Sequence, residues 1–188
     1  MINIIAGKYK RKKIEIPIHN VRPTSAIKRE AIFSIIESYA LKNSYNIYSG
    51  KCFIDLFAGS GSFGLEAISR GAAFSYFFEI DNEVLNTLSL NCKNICKENQ
   101  FRIYHQDSTQ LINVDFDYPV SGIFIDPPYK LNPFNNLLKK LMNQNIIQQE
   151  TITIIETSNK MSFELINGLS ILSERVYGKT KILFLKKN

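Results

Sequence analysis

KCFIDLFAGSGSFG, residues 51–64, reads as a buried strand, a glycine-rich loop and the start of a helix. A short apolar run leads into Asp55, and Gly59, Gly61 and Gly64 then follow with the spacing G-x-G-x-x-G. Glycines at these positions let a backbone turn tightly and approach a ligand, and an acidic residue about 20 positions later accepts from ribose hydroxyls. Glu79 stands 20 residues after Gly59. The segment therefore predicts an adenosine-containing cofactor at the end of a strand.

Downstream of residue 64 the chain alternates between strand-like and helix-like segments. Apolar or β-branched runs at 74–80, 101–107, 120–126 and 151–157 predict strands, and helical periodicity at 82–99 and 132–145 predicts helices between them. Two strand-like runs then meet at Gly178 as a hairpin. This alternation predicts an α/β, Rossmann-like fold: a mostly parallel seven-stranded sheet with one antiparallel strand and helices on both faces.

The first 50 residues have a different character. INIIA and KKIEIPI flank GKYKR, which predicts a two-stranded β-hairpin with a basic tip outside the α/β core. The tip, KYKRKK at 8–13, has five cationic residues in six. A helix over 22–40 follows, with Thr24 as a plausible N-cap. Its predicted apolar face is Ile27, Ala31, Ile35 and Tyr39. We therefore expect a basic hairpin-and-helix extension at 1–50 and a separate α/β domain at 51–188.

An acidic residue closes each of four successive predicted strands, at Asp55, Glu79, Asp107 and Asp126. In open α/β sheets, ligands bind beyond the carboxyl ends of the strands. Asp55 can face a cationic group, and Asp107 can accept from the adenine amino group. These features favour S-adenosylmethionine over NAD.

Asp126 opens the motif Asp126-Pro127-Pro128-Tyr129. An exocyclic base amine is a poor nucleophile because its lone pair is delocalised into the ring. Hydrogen bonds from that amine to the Asp126 carboxylate and the Pro127 carbonyl help to release the lone pair. The prolines fix the backbone angle φ and so hold the carbonyl in place, and Tyr129 can stack on the base. The motif predicts methylation of an exocyclic amine.

Composition narrows the class of protein. The 188 residues suit one compact domain with a small appendage, and the net charge of +6 fits a polyanionic partner. Three cysteines without framework spacing argue against a secreted disulfide protein, and we read Cys92 and Cys96 as small core residues. No apolar run approaches the roughly 20 residues of a membrane span, and no metal-ligand cluster is visible. We expect a cytoplasmic protein.

The motifs together resemble the class I S-adenosylmethionine-dependent methyltransferases. The segments IIAGKYKRKKIEIP, RPTSAIKRE, DLFAGSGSFGLEAISRGA and FIDPPY, in this order, resemble the bacterial small-subunit ribosomal RNA guanine-N2 methyltransferase family. The resemblance covers nearly the whole chain. It implies methylation of one guanine in 16S rRNA, with the assembled or partly assembled small subunit as partner, by an enzyme that we expect to be a monomer.

The resemblance also implies roles for particular residues. Those expected to bind the cofactor are Asp55, Phe57, Gly59, Gly61, Glu79, Asp107 and Ser108. Those expected to handle the base are Asp126, Pro127, Pro128 and Tyr129. Those expected to contact RNA are Lys8, Lys10, Arg11, Lys12 and Lys13 in the basic tip, with Arg22 and Thr24 near the mouth of the site.

Three other functions remain open at this stage. A DNA adenine-N6 methyltransferase uses the same motif, although such enzymes usually carry a recognition insert for which this chain has no room. A non-catalytic RNA-binding protein on a methyltransferase scaffold would not need the intact motif at 126–129. An NAD-dependent oxidoreductase would leave that motif unexplained.

Overall fold

The computed structural model describes residues 1–17, 25–110, 114–128 and 131–188. The helices are α1 (Ala26–Lys42), α2 (Ser62–Arg70), α3 (Asn82–Ile95) and α4 (Phe134–Asn143), with a 3₁₀ turn at Glu98–Gln100. The strands are β1 (Ile2–Asn3), β2 (Lys13–Ile14), β3 (Cys52–Asp55), β4 (Phe74–Glu79), β5 (Phe101–His105), β6 (Val120–Ile125), β7 (Ile152–Ser158), β8 (Leu169–Tyr177) and β9 (Thr180–Lys187).

Seven strands form one sheet in the order β5-β4-β3-β6-β7-β9-β8. Neighbouring strands from β5 to β7 pair in parallel, whereas β9 runs antiparallel to both β7 and β8. The predicted mostly parallel sheet with one antiparallel strand is thus confirmed. The strand order reverses between β3 and β6, because the chain adds β4 and β5 on one side before it crosses to the other. Ligands of such sheets bind in the crevice at this reversal.

Each face of the sheet carries its own apolar core. Phe53, Phe124 and Ile154 point to the face that α1 and α2 cover. Ile123 and Ile125 point to the opposite face, against α4. Strand residues alternate between the two faces, so a residue two positions beyond Phe124 or Ile154 lies on the α1 side.

The N-terminal hairpin is confirmed, and it packs on the α/β body. Ile2 pairs with Ile14 in the β1–β2 ribbon. Ile4 and Ile14 are buried in the core that α2 and α3 share. The tip is fastened to the last turn of α2, because the backbone amide of Lys8 donates to the Ser69 carbonyl at 2.7 Å. The sequence had placed this ribbon outside the core, since two short strands give no signal of what covers them.

Helix α1 buries a different face from the predicted one. Ser25 is the N-cap and accepts a hydrogen bond from the Lys28 amide. Ile27 is 75% exposed. The buried positions are Arg29, Ile32, Phe33, Ile36 and Ala40. The buried face includes an arginine, which an apolar pattern cannot anticipate.

A buried carboxylate explains why Arg29 can lie inside. Glu66 of α2 is fully buried and accepts from the amides of Ile5 at 2.8 Å and Ala6 at 3.0 Å. It also accepts from Arg70 Nε at 2.9 Å and forms an ion pair with Arg29, whose Nε lies 3.7 Å away. Glu66 therefore joins the N-terminal segment to α1 and α2 through charge and hydrogen bonds.

Candidate active site

Four of the predicted residues meet at one edge of the sheet. Asp55 and Glu79 are the last residues of the adjacent strands β3 and β4. Asp126 directly follows β6 on the other side of β3, and Asp107 follows β5. Because β3 to β6 run parallel, these carboxylates gather at the carboxyl ends beside the crevice. Neighbouring strands lie about 4.8 Å apart, which sets the scale of the site.

The loop after β3 is held by Glu79. Gly59 and Gly61 both have positive φ, 53° and 78°, in the left-handed region that glycine tolerates. The Gly59 amide donates to Glu79 Oε2 at 2.9 Å, and Glu79 Oε1 accepts from the amides of Ile80 and Asp81. Each carboxylate oxygen has two lone-pair sites, so Glu79 Oε2 retains the capacity to accept from a ribose hydroxyl.

Two glycines of the motif serve internal packing. A Cβ on Gly61 would lie 2.5 Å from Leu88 Cδ1, and one on Gly64 would lie 2.4 Å from Phe77 Cε1. These contacts let α2 sit close against β4 and α3. The sequence had assigned the glycines to close approach by a ligand, but at these two positions protein atoms fill the space.

Asp55 is the feature that fits a cofactor. Its side chain is only 2% exposed, and Oδ1 has no hydrogen-bond partner within the described part of the chain. Burial, together with the negative charge of Glu79, raises the pKa of Asp55 to about 7, although backbone amides of Gly64 and Phe57 act in the opposite direction. An unsatisfied buried carboxylate oxygen is costly, and a cationic ligand group in the crevice would satisfy it. The residues present thus fit S-adenosylmethionine, whose methionine end carries positive charge.

Asp107 and Ser108 lie beyond β5. Partial burial acts to raise the pKa of Asp107, but hydrogen bonds from Thr109 and from the Gln110 side chain, and the charge of Lys140, lower it below its ordinary value. Asp107 Oδ1 accepts from the Thr109 amide at 2.9 Å and its hydroxyl at 2.8 Å. The buried Ser108 hydroxyl donates to the Leu56 carbonyl, so it ties the ends of β5 and β3 together. Asp107 stays ionised and can accept from an adenine amine.

Two apolar side chains lie close in sequence to Asp55 and Glu79. Phe57 is half-buried against the core on the α4 side. Ile80, directly after Glu79, is 59% exposed although it is apolar. The sequence analysis did not single out Ile80, because one isoleucine at a strand end resembles any other. Its position beside Glu79 offers a flat apolar surface for an adenine ring.

The proline turn is placed at the opposite side of β3. Asp126 is half-buried, Pro127 is buried and Pro128 is exposed. The Leu131 amide donates to the Pro128 carbonyl at 2.8 Å. Tyr129, predicted to stack on the base, lies outside the described residues, as do Arg22 and Thr24 at the predicted mouth.

A fifth acidic residue, Glu156, stands at this edge and was missed by the sequence analysis. Ile125 of β6 pairs with Ile155 of β7, so Asp126 and Glu156 come next on the two strands. Glu156 forms an ion pair with Lys28 of α1. The sequence did contain a signal for Glu156. It lies near the end of the predicted strand TITIIET, and each of the other four predicted strands discussed above also ends at an acidic residue.

The five cations of the basic tip are all exposed, but one of them has a structural contact. Lys8, Lys10, Arg11, Lys12 and Lys13 are exposed. Lys12 Nζ also donates to the carbonyls of Asn94 and Ile95, at 3.0 and 3.3 Å, at the end of α3. A cation at a helix C-terminus stabilises the carbonyls that have no partner within the helix. The sequence grouped all five cations together, whereas Lys12 has a structural contact of its own.

Other kinds of site find no support in the described ranges. No group of three or more His, Cys, Asp or Glu residues there could hold a metal ion. Cys52, Cys92 and Cys96 are free thiols and are buried. Among the helices of the described ranges, none has the length and apolar character that a bilayer crossing requires.

Comparison with known proteins now decides the family. The family described as conserved hypothetical protein 95 matches residues 2–186. The chain belongs to this family. Members of similar sequence include the ribosomal RNA small subunit methyltransferase D of Buchnera aphidicola (subspecies Acyrthosiphon pisum), 34% identical over 93% of this chain and 87% of that one. The Haemophilus influenzae protein of the same name is 29% identical over 94% of this chain and 89% of its own.

Solved structures agree with this assignment. The Escherichia coli protein named "Putative methyltransferase yhhF" superposes with a TM-score of 0.83 at 25% identity, over 100% of this chain and 98% of that one. The predicted class I methyltransferase fold is thus confirmed, and the chain is a methyltransferase by family and by fold. Family and fold imply S-adenosylmethionine as the cofactor.

Proposed function

We propose that this protein transfers a methyl group from S-adenosylmethionine to the exocyclic N2 amine of one guanine in 16S rRNA. The observation that carries the proposal is the placement of the Asp126-Pro127-Pro128 turn directly beside the strand that ends in Asp55. A methyl donor held at Asp55 and an amine held at Asp126 would then lie on neighbouring strands, about 4.8 Å apart at the backbone. The names of relatives such as the Buchnera protein support ribosomal RNA as the acceptor.

Each of the cofactor residues would contact a different part of the cofactor. Asp55 would face the cationic methionine end, Glu79 would accept from the ribose hydroxyls, and Asp107 would accept from the adenine amine. Ile80 would pack on the adenine ring. When bound, S-adenosylmethionine supplies an electrophilic methyl group on a sulfonium sulfur.

The acceptor residues act on the amine. The Asp126 carboxylate and the Pro127 carbonyl each accept one N–H of the amine, which draws the nitrogen lone pair out of conjugation and points it toward the donor. Asp126 can also take the proton that the nitrogen loses after transfer. Positioning and fixed acceptors supply the catalysis, and no covalent intermediate is required.

The nucleic-acid contact would come from the exposed cations Lys8, Lys10, Arg11 and Lys13. Phosphate contacts position an enzyme on RNA, whereas base contacts select the target. A guanine in a structured loop must be splayed out to reach the crevice. We expect a monomeric, cytoplasmic enzyme that acts on assembled or partly assembled small subunits.

One labelling experiment tests the proposal. The protein is incubated with methyl-labelled S-adenosylmethionine and, separately, with small subunits, naked 16S rRNA and DNA, and the labelled nucleoside is then identified by mass spectrometry. We expect N2-methylguanine in 16S rRNA from the small subunit. Label in adenine of DNA would instead establish the DNA enzyme, and no label in any polymer would favour a binding protein.

Substitutions at Asp126 test the mechanism. Asp126→Ala should abolish transfer and leave cofactor affinity nearly unchanged, because the substitution removes an interaction with the reacting amine. Asp126→Asn should keep part of the rate, since a neutral carbonyl still accepts. An alanine variant with near wild-type activity would show that Asp126 does not hold the amine.

A further inference from the structure

The ion pair between Lys28 and Glu156 lies beside the acceptor half of the site. Lys28 is in the first turn of α1, and Glu156 is near the carboxyl end of β7. Both side chains are largely buried, with 12% and 4% of their surfaces exposed. The pair therefore connects a helix end to a strand end in a place that is mostly shielded from water.

The strand register locates this pair relative to Asp126. Phe124 pairs with Ile154, and both pack on the α1 side of the sheet. Two residues further on, Glu156 is still within β7, so alternation assigns it to that same side, and Asp126 directly follows the end of β6. Glu156 thus neighbours Asp126 on the side away from the glycine-rich loop, at a strand spacing of about 4.8 Å.

The pair also marks where the N-terminal extension meets the sheet. Ser25 caps α1 and precedes Lys28 by three residues, and Glu156 receives the Lys28 ammonium. The chain that carries the basic tip thus enters α1 at the acceptor edge. The extension is thus joined to the strand next to Asp126 through this ion pair and the apolar face of α1, in addition to the contacts that Glu66 and Ser69 of α2 make with the hairpin.

Stability alone is a weak reason for such a pair. The cost of removing two charges from water offsets most of their attraction, and an apolar pair of similar size often holds a fold equally well. A directional pair does, however, fix the relative position of the two elements that it joins.

We propose that Lys28 and Glu156 are positioning residues that fix the first turn of α1, and with it the bound RNA, against the strand beside Asp126. This inference rests on the proposed function. The pair acts on the acceptor and leaves the cofactor half untouched, because Asp55, Glu79 and Asp107 lie on β3, β4 and beyond β5. Loss of the pair should slow the transfer step itself.

The test compares two ion pairs at opposite edges of the sheet. Lys28→Met removes the charge at similar length, and Lys28→Arg keeps it. Lys51→Met is the matched control, since Lys51 pairs with Glu150 at 3.0 Å before β3 and β7 begin. We would measure kcat and KM for the small subunit, the dissociation constant of S-adenosylmethionine by calorimetry, and the melting temperature of each variant.

Lys28→Met should lower kcat by about 10- to 100-fold, the scale of a misplacement of about 1 Å. Its cofactor dissociation constant should stay unchanged, Lys28→Arg should recover most of the rate, and Lys51→Met should behave as wild type. If Lys28→Met fails to fold because the buried Glu156 charge loses the Lys28 ammonium, the Lys28→Met/Glu156→Gln double variant removes both charges and should show the same loss of kcat.

Other outcomes would overturn the inference. A folded variant with a lower melting temperature and wild-type kcat would make the pair structural only. A loss confined to KM would assign it to docking, and a parallel loss of cofactor affinity would place it in the other half of the site. Failure of the wild-type enzyme to methylate RNA would instead refute the proposed function, so the two failures are distinguishable.

Discussion

Cofactor affinity should depend on pH through Asp55. This carboxylate is buried, and its pKa is raised from the ordinary value of 3.8 to about 7. Only the ionised form attracts a cationic ligand group, so the protein must hold Asp55 ionised to bind S-adenosylmethionine well. We therefore expect affinity to increase as pH rises through 7.

The size of the effect follows from the fraction of ionised Asp55. With a pKa of about 7, roughly a tenth of the molecules carry the charge at pH 6 and roughly nine tenths at pH 8. If only the ionised form binds, the apparent dissociation constant is divided by that fraction, so affinity should increase about tenfold between these pH values. Stability should change in the opposite direction: because folding raises this pKa, the free energy of unfolding of the cofactor-free protein falls as pH rises toward and through 7.

Calorimetric titration at pH 6, 7 and 8 measures the profile, with Asp55→Asn as the control. The asparagine keeps the shape and cannot ionise, whereas the amino group of the cofactor titrates equally with both proteins. The difference between the two profiles therefore isolates Asp55. Identical slopes for wild type and Asp55→Asn, or stronger wild-type binding at pH 6 than at pH 8 relative to that variant, would refute the role of this carboxylate.

Five further substitutions separate binding, stability and docking. Glu79→Ala should weaken cofactor binding by about 1–3 kcal/mol, because ribose hydroxyls lose their acceptor; unchanged affinity by calorimetry in a folded variant would contradict this. Glu66→Ala should lower the free energy of unfolding by about 3–5 kcal/mol in urea melts, since it leaves buried positive charge uncompensated; a change below 1 kcal/mol would count against the network. Lys10→Ser and Arg11→Ser should each flatten the slope of log affinity against log salt by about 0.7–0.9 if they contact phosphate. Lys12→Ser should lower stability and leave that slope unchanged, and parallel slopes for all three variants would make the tip a solvated turn.

The sheet could be predicted because its signals are local. Each strand from β3 to β7 is a short apolar run that ends near an acid or a turn, and helical periodicity separates the strands. The rule that ligands bind at the carboxyl ends of parallel strands then placed Asp55, Glu79 and Asp126 together without knowledge of any contact. Residue type, spacing and topology were sufficient for this half of the site.

The remainder depends on contacts between distant segments. Arg29 is buried because Glu66, 37 residues later, supplies the opposite charge. The Lys12 ammonium donates to the carbonyls at 94 and 95. Position 64 requires a glycine because the ring of Phe77 occupies the space that a side chain would take. A pattern within one segment has no access to such partners. The same limit explains why the sequence analysis missed Glu156, because its proposed role depends on Lys28 and Asp126, which are distant from it in sequence.

Helix α2 takes part in several of these long-range contacts, at its start, its middle and its end. Its N-cap, Gly61, lies in the glycine-rich loop, and its last turn presents Ser69 to the backbone of the basic tip. The two ends are about 12 Å apart, because eight residues rise 1.5 Å each. The buried Glu66 in the middle of α2 ties the same helix to the start of the chain. In the proposed function, the glycine-rich loop at the cofactor and the basic tip at the RNA would therefore lie at opposite ends of α2, and a phosphate at the tip would be held at a fixed distance from the methyl donor. A flexible appendage would leave this distance variable, whereas packing on a single helix would fix it.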